Sequence, residues 1–253
     1  MKRSQMKAPI VALGAAVALS GCVTIGGGEF DATKSFVETY ESYNQLDNQP
    51  LVDFASKPTG TVSYSGGILV QKQSNVLTAK PIGLASDPEP ESNAYIVAKM
   101  DVEVAFDDNT SDFTVTDFQR ATAPISVFRR SVPLGAAPIS IDEDNVVLGE
   151  AIDGSLTGSG TVEDNGIGGT VVLGSLNGTL TSGSGEGLQT YTSNMEAELG
   201  VRSAPGNEFL LGEVLFELLT PKVPDQNQEG PVATLVPDTS NEYYYGAGYA
   251  AKE

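Results

Sequence analysis

The chain has no His, no Trp and one Cys, and its 14 Lys and Arg face 33 Asp and Glu over 253 residues. Without imidazole and with a single thiol, neither a Ser-His-Asp nor a Cys-His catalytic unit can be assembled within one chain. The usual zinc sites, His-held haem and Cys-held iron–sulfur clusters are excluded with them, and no cofactor and no metal are expected. A formal charge of −19 denies a phosphate backbone the basic surface it needs, so nucleic acid is a poor partner.

What is present begins with an address. Met1 to Ser20 carries Lys2, Arg3 and Lys7, then the apolar run Ile10 to Leu19, and no acidic residue precedes Glu29. This is the layout of a secretory signal peptide. A transmembrane helix needs ~20 apolar residues, about twice this run. Leu19-Ser20-Gly21-Cys22 resembles the bacterial lipobox, which implies cleavage before Cys22 and acylation of its thiol. Two or three acyl chains, at about 0.8 kcal/mol per buried methylene, hold a protein on a membrane without appreciable dissociation. The expected partner of Cys22 is therefore the bilayer. Val23 stands where an inner-membrane retention signal would place Asp, so the resemblance favours the outer membrane, on its surface or its periplasmic leaflet. Removing residues 1–21 takes three cations and no anions and moves the net charge from −19 to −22.

The mature chain changes period along its length. Gly26-Gly27-Gly28 reads as a flexible tether. Asp31 to Leu46 reads as a short amphipathic helix with Phe36, Tyr40 and Tyr43 along one face, capped by Asp31 or Thr33 and expected to cover one end of the domain. From Gly60 onward apolar residues recur at every second position. Eight strands are expected, near 61–70, 94–106, 112–118, 155–162, 168–181, 195–201, 208–219 and 242–251. Eight is the number at which a barrel closes around a filled interior, and the 28 Gly suit the bends that closure needs. Residues 208–219 are apolar enough to read as a buried helix; Gly212 and the neighbouring strands favour a strand. Residues 81–93, 119–150 and 221–241 read as long, Pro-rich or acidic connections. The expected fold is all-β: one soluble eight-stranded antiparallel barrel (58–253) behind a lipidated tether and short helix (22–57) and a signal peptide (1–21). Outward Asp, Glu, Asn and Ser argue against a membrane-spanning barrel.

Pro58-Thr59-Gly60-Thr61-Val62-Ser63-Tyr64-Ser65-Gly66 resembles the opening strand of the β-barrel domain of transferrin-binding-protein-B-like lipoproteins. Val104 to Thr110, Gly174 to Leu180, Gly206 to Glu217 and Gly246 to Lys252 resemble its later segments in order. The resemblance covers about residues 58–251, with the connections unmatched, and implies a single barrel of the kind shared with factor-H-binding lipoproteins, binding proteins through loops and barrel faces. Fuller members have two lobes, so transferrin recognition is not carried over.

The candidate chemistry is thin. Asp107, Asp108, Asp112, Asp142, Glu143, Asp144 and Asp164 could supply a carboxylate pair for glycoside hydrolysis, but they stand beside Asn, Gly and Thr, where Asp serves turn geometry. Asp107, Asn109 and Ser111 have the spacing of an EF-type calcium loop, yet Asp112 and Phe118 occupy the positions that need Gly and Glu. Partner-contact candidates are Arg129 and Arg130, grouped with Arg120 or else balanced by Asp142, Glu143 and Asp144, and Tyr244, which strand alternation separates from Tyr243, Tyr245 and Tyr249. The expectation is a monomeric, non-enzymatic, outer-membrane-anchored lipoprotein that binds a protein or secreted ligand. A structural envelope lipoprotein is the alternative and a carboxylate glycosidase the remote one.

Overall fold

The computed structural model describes residues 30–47, 49–73, 90–124, 141–204, 207–220 and 241–253. Its strands are β1 (Thr61–Gln73), β2 (Pro90–Ala105), β3 (Thr110–Thr122), β4 (Val147–Asp164), β5 (Thr170–Ser182), β6 (Gln189–Ala204), β7 (Asn207–Leu219) and β8 (Glu242–Lys252). Each pairs antiparallel with its neighbour in sequence, and β8 returns to β1, from Tyr64↔Lys252 to Lys72↔Tyr244, so the sheet is a closed eight-stranded barrel. All eight expected strands are found, the doubtful seventh among them. The largest departure is β4, which begins at Val147, inside the stretch read as a connection over 119–150.

Alternation sends Tyr64, Ile68 and Val70 of β1, Met100, Val102 and Val104 of β2 and Leu210, Val214 and Phe216 of β7 into one continuous core. Toward the end where β7 finishes, Phe216 is stacked on Phe118 at 5.7 Å between ring centroids and tilted against Tyr244 at 5.8 Å. Burying a side chain of this size stabilises by roughly 1.5–3 kcal/mol. An eight-stranded interior is only as wide as such side chains, so small residues must face the large ones. At Gly174, a Cβ would stand 2.6 Å from the Phe113 ring. The outer wall of β3, β4 and β5 is polar, with Asp112, Thr114, Thr157, Ser175, Asn177 and Thr179 exposed. An apolar inside and a polar outside is the reverse of a membrane barrel. Among the described residues no helix is long and apolar enough to cross a membrane.

Helix α1 (Ala32–Leu46) starts at Asp31, whose carboxylate accepts from the Lys34 backbone N–H at 3.0 Å; Thr33 lies within the helix. The Phe36, Tyr40 and Tyr43 stripe is buried, but the helix does not cover an end of the barrel as the aromatic spacing suggested. It lies along the outer wall. Phe36 and Tyr40 pack with the outward Leu69, Tyr95 and Val97, and Tyr43 packs with Phe209, Leu211 and Ala247. Gly67 permits the crossing: a Cβ there would be 2.2 Å from Ser35 Oγ.

The end of the barrel is covered instead by the segment after the helix. Val52 donates to the Val201 carbonyl and accepts from the Thr170 N–H, both at 2.8 Å, and Phe54 donates to the Gly168 carbonyl at 2.8 Å. Val52 and Phe54 thereby press on the main core. This sealed end carries the short β2–β3, β4–β5 and β6–β7 turns and is fastened by Arg202 to Asp47 (3.0 Å) and by Tyr64, whose hydroxyl donates to Glu208 (2.5 Å). The longer connections all leave from the opposite end.

Candidate functional site

The opposite end, where β1, β3, β5 and β7 finish, is the mouth; among the described residues no segment caps it as 51–56 caps the other end. On β1, β3, β5 and β8 the inward residues turn polar here, at Lys72, Arg120, Ser182 and Glu242, while β7 stays apolar as far as Leu218. Glu242 is the hub. Its Oε1 is 2.9 Å from Lys72 Nζ, and its Oε2 accepts from Arg120 Nη2 at 3.0 Å and from the Tyr244 hydroxyl at 2.8 Å. Arg120 Nη1 donates to the same hydroxyl at 3.0 Å. Three strands distant in sequence, β1, β3 and β8, are thus joined by one carboxylate. On the facing strands Ser182 donates to Glu150 Oε2 at 2.9 Å, and the Tyr191 hydroxyl donates to Gln189.

The electrostatics follow from this crowding. Burial alone would raise the Glu242 carboxyl, but the Lys72 hydrogen bond, the Arg120 charge and the Tyr244 hydroxyl outweigh it and hold it below the usual range. Burial also opposes the charge on Arg120, and there Tyr244 and Glu242 prevail and raise its pKa. Burial keeps Tyr244 protonated well above its ordinary value; Arg120 works against this and Glu242 reinforces it. The network is a half-buried unit in which one carboxylate serves two cations.

An apolar lip borders this polar floor. Val147 is 62% exposed and Leu148 41%, both at the start of β4, and Leu188 in the β5–β6 connection is 56% exposed. Three of the four exposed large apolar side chains among the described residues therefore belong to the open mouth; the fourth, Ile167, is at the sealed end.

The residues singled out from sequence divide accordingly. Tyr244 is not an exposed partner contact: it is 1% exposed and points into the barrel, because β8 turns Tyr243, Tyr245 and Tyr249 outward and leaves Tyr244 alone with Gly246, Gly248 and Ala250 on the inner face. Arg120 is likewise an interior residue whose counter-ion is Glu242, not the acidic run at Asp142, Glu143 and Asp144. Arg129, Arg130 and the lipobox Leu19, Ser20, Gly21 and Cys22 lie outside the described residues. Several of the carboxylates weighed for catalysis serve backbone donors: Asp107 accepts from Gly60 at 3.0 Å, Asp142 from Asp144 at 3.1 Å, and Asp164 from Gly166 and Gly168 at 2.8 and 2.9 Å. Among the described residues no three His, Cys, Asp or Glu side chains are grouped to hold a metal ion. Lys72 and Glu242 were missed. The signal was available for Lys72, since the alternation that turns Val62, Tyr64, Ile68 and Val70 inward sends a cation inward too.

The fold and site define a closed eight-stranded antiparallel barrel with a polar outer wall, capped at one end by residues 51–56 and, among the described residues, uncapped at the other, where a charged floor meets an apolar lip. No family model, curated protein or solved structure matches the chain.

Proposed function

We propose that the chain is a lipoprotein, anchored to the outer membrane through Cys22, whose barrel is a binding module that engages a protein or secreted ligand at its open mouth. The supporting observation is the asymmetry of the two ends. Among the described residues one end is closed by Val52 and Phe54, while the other exposes Val147, Leu148 and Leu188 beside a network of ionised groups. Exposing such side chains costs solubility and stabilises nothing within the monomer. Apolar anchors ringed by polar groups are the composition of contact surfaces. The resemblance of residues 58–251 to transferrin-binding-protein-B-like barrels points to the same use, and the signal layout before Cys22 supplies the anchor.

The test is capture by the immobilised mature chain from envelope extract, growth medium and host fluid, followed by amide-exchange footprinting of the captured complex. Protection of 147–151, 188 and the ends of β1, β3 and β8 is expected. A footprint on the sealed end or on the helix overturns the assignment of the mouth, and no saturable capture from any source overturns the binding module in favour of an envelope brace. Mass spectrometry of the chain from its native host tests the anchor: an unmodified Cys22 refutes it.

A further inference from the structure

The helix on the outer wall has a direction. Its start belongs to the mouth: Phe30, Ala32 and Phe36 pack in one cluster with Tyr95 near the start of β2, Ala121 and Ala123 at the end of β3, and Ile141 and Val146 just ahead of β4. Its last turn belongs to the sealed end, where Tyr43 and Leu46 pack with Phe209 of β7 and Ala204 of β6 and Asp47 pairs with Arg202. The chain therefore joins the barrel at the mouth and runs ~22 Å toward the seal along α1.

Cys22 stands eight residues before Phe30. Eight residues reach at most ~28 Å when fully extended, and a Gly-rich chain of that length averages about 16 Å end to end. If the mouth pointed away from the bilayer, the barrel would lie between Phe30 and the membrane, and the chain would have to pass at least the ~22 Å of α1. That exceeds the average reach and uses most of the greatest, at a cost in chain entropy. With the mouth toward the bilayer no such stretching is required. We infer that the barrel stands with its mouth toward the membrane that holds Cys22 and its sealed end, with the exposed Ile167, away from it, and that the mouth engages the surface part of a protein embedded in that same membrane.

Size and charge select this partner. A folded domain of ~100 residues has a radius of gyration of about 13 Å and is thus more than ~26 Å across, wider than the gap an average tether leaves for entry from solution. The lipid surface itself is a poor ligand. Residues 141–150 at the mouth hold Asp142, Glu143, Asp144 and Glu150 and no Lys or Arg, and the net charge of −19 becomes −22 once the three cations of residues 1–21 are removed; anionic headgroups repel such a chain. The inference rests on the anchor at Cys22 and on the mouth as the binding end, and it names where the partner resides.

Cys22 is the single thiol of the chain, so a maleimide lipid fixes the mature protein to phosphatidylethanolamine and phosphatidylglycerol vesicles at that residue alone. Leu188 at the mouth or Ile167 at the sealed end is replaced by p-azidophenylalanine and coupled to a donor dye, with acceptor dye on the headgroups. Energy transfer from 188 is expected to be about twofold that from 167, as ends separated by ~22 Å or more require. Inserting about 24 Gly and Ser residues after Gly28 raises the average reach to ~31 Å and is expected to remove the difference. Equal or reversed transfer in the uninserted chain, or a difference that survives the insertion, overturns the orientation while leaving the binding module standing. In the native host, a photo-crosslinking residue at 188 is expected to capture a protein that stays with the membrane through high-salt washing. An adduct with a soluble protein overturns the membrane-held partner and leaves the mouth as the binding end; no adduct at 188 overturns the partner as well, and mouth footprinting of the captured complex then decides whether the binding module falls with it.

Discussion

The two ends of the barrel are built from the same kinds of residue put to opposite uses. At the sealed end an apolar pair, Val52 and Phe54, is turned in and its backbone is paired to residues 168, 170 and 201; at the open mouth an apolar trio, Val147, Leu148 and Leu188, is turned out. Each end has a carboxylate beneath a tyrosine hydroxyl, Glu208 with Tyr64 and Glu242 with Tyr244. Only at the mouth is that pair joined to two cations drawn from β1 and β3. At one end an apolar pair is built into the core, and at the other an apolar trio is left to water, although Ile167 at the sealed end is exposed as well.

Substitutions of like chemistry should separate the ends. The largest effect is expected at the seal: Val52→Asp puts a carboxylate against the main core and should cost about 3 kcal/mol, read as a lower urea midpoint at unchanged slope. Next is Glu242→Ala, which leaves Arg120 and Lys72 facing each other without their carboxylate; hydrogen bonds to charged groups contribute about 1.5–3 kcal/mol, and partial solvation puts the loss at the low end of that range. A smaller contrast lies in pH dependence. Because the Glu242 pKa is depressed on folding, its contribution is present above the unfolded carboxyl value near ~4.3 and is lost as pH falls through the folded value; Glu242→Gln should flatten the acid limb of stability. The Tyr64 pKa is raised on folding, by burial and by Glu208, so its contribution is present below the unfolded value near ~10 and is lost above it. Tyr64→Phe should reduce the alkaline limb, with Tyr244 supplying what remains. The smallest effect is expected at the lip: Leu188→Asp should change stability by less than about 0.5 kcal/mol. A lip substitution as costly as Val52→Asp would erase the distinction between the ends.

The parts of this architecture that were legible in the sequence are those where alternation is enforced by burial on one side. β1, β2, β5 and β8 read cleanly because every second side chain meets the core. β4 was read eight residues short because Val147 to Ala151 face water on both sides, which leaves no period to detect. The helix boundaries were readable from Asp31 and the aromatic stripe, but its berth was not: it depends on Gly67 clearing a path across the wall, and one more Gly among 28 carries no such message. The seal at 51–56 is too short for a period and is held by main-chain bonds to distant residues. The charged floor was half visible. Tyr244 stood out as a tyrosine, whereas its partners Lys72, Arg120 and Glu242 become a site only when closure brings the first, third and last strands together.

That closure has a kinetic side. Every other strand pairs with the one made just before it, but β1 must wait for β8, so the pairing of Tyr64 with Lys252 spans nearly the whole chain and its loop entropy is met last. A chain exported from its amino terminus would leave β1 without its second neighbour until the final residues emerged. A truncation of the last dozen residues removes β8 and should yield a chain that clumps instead of one that is merely shorter.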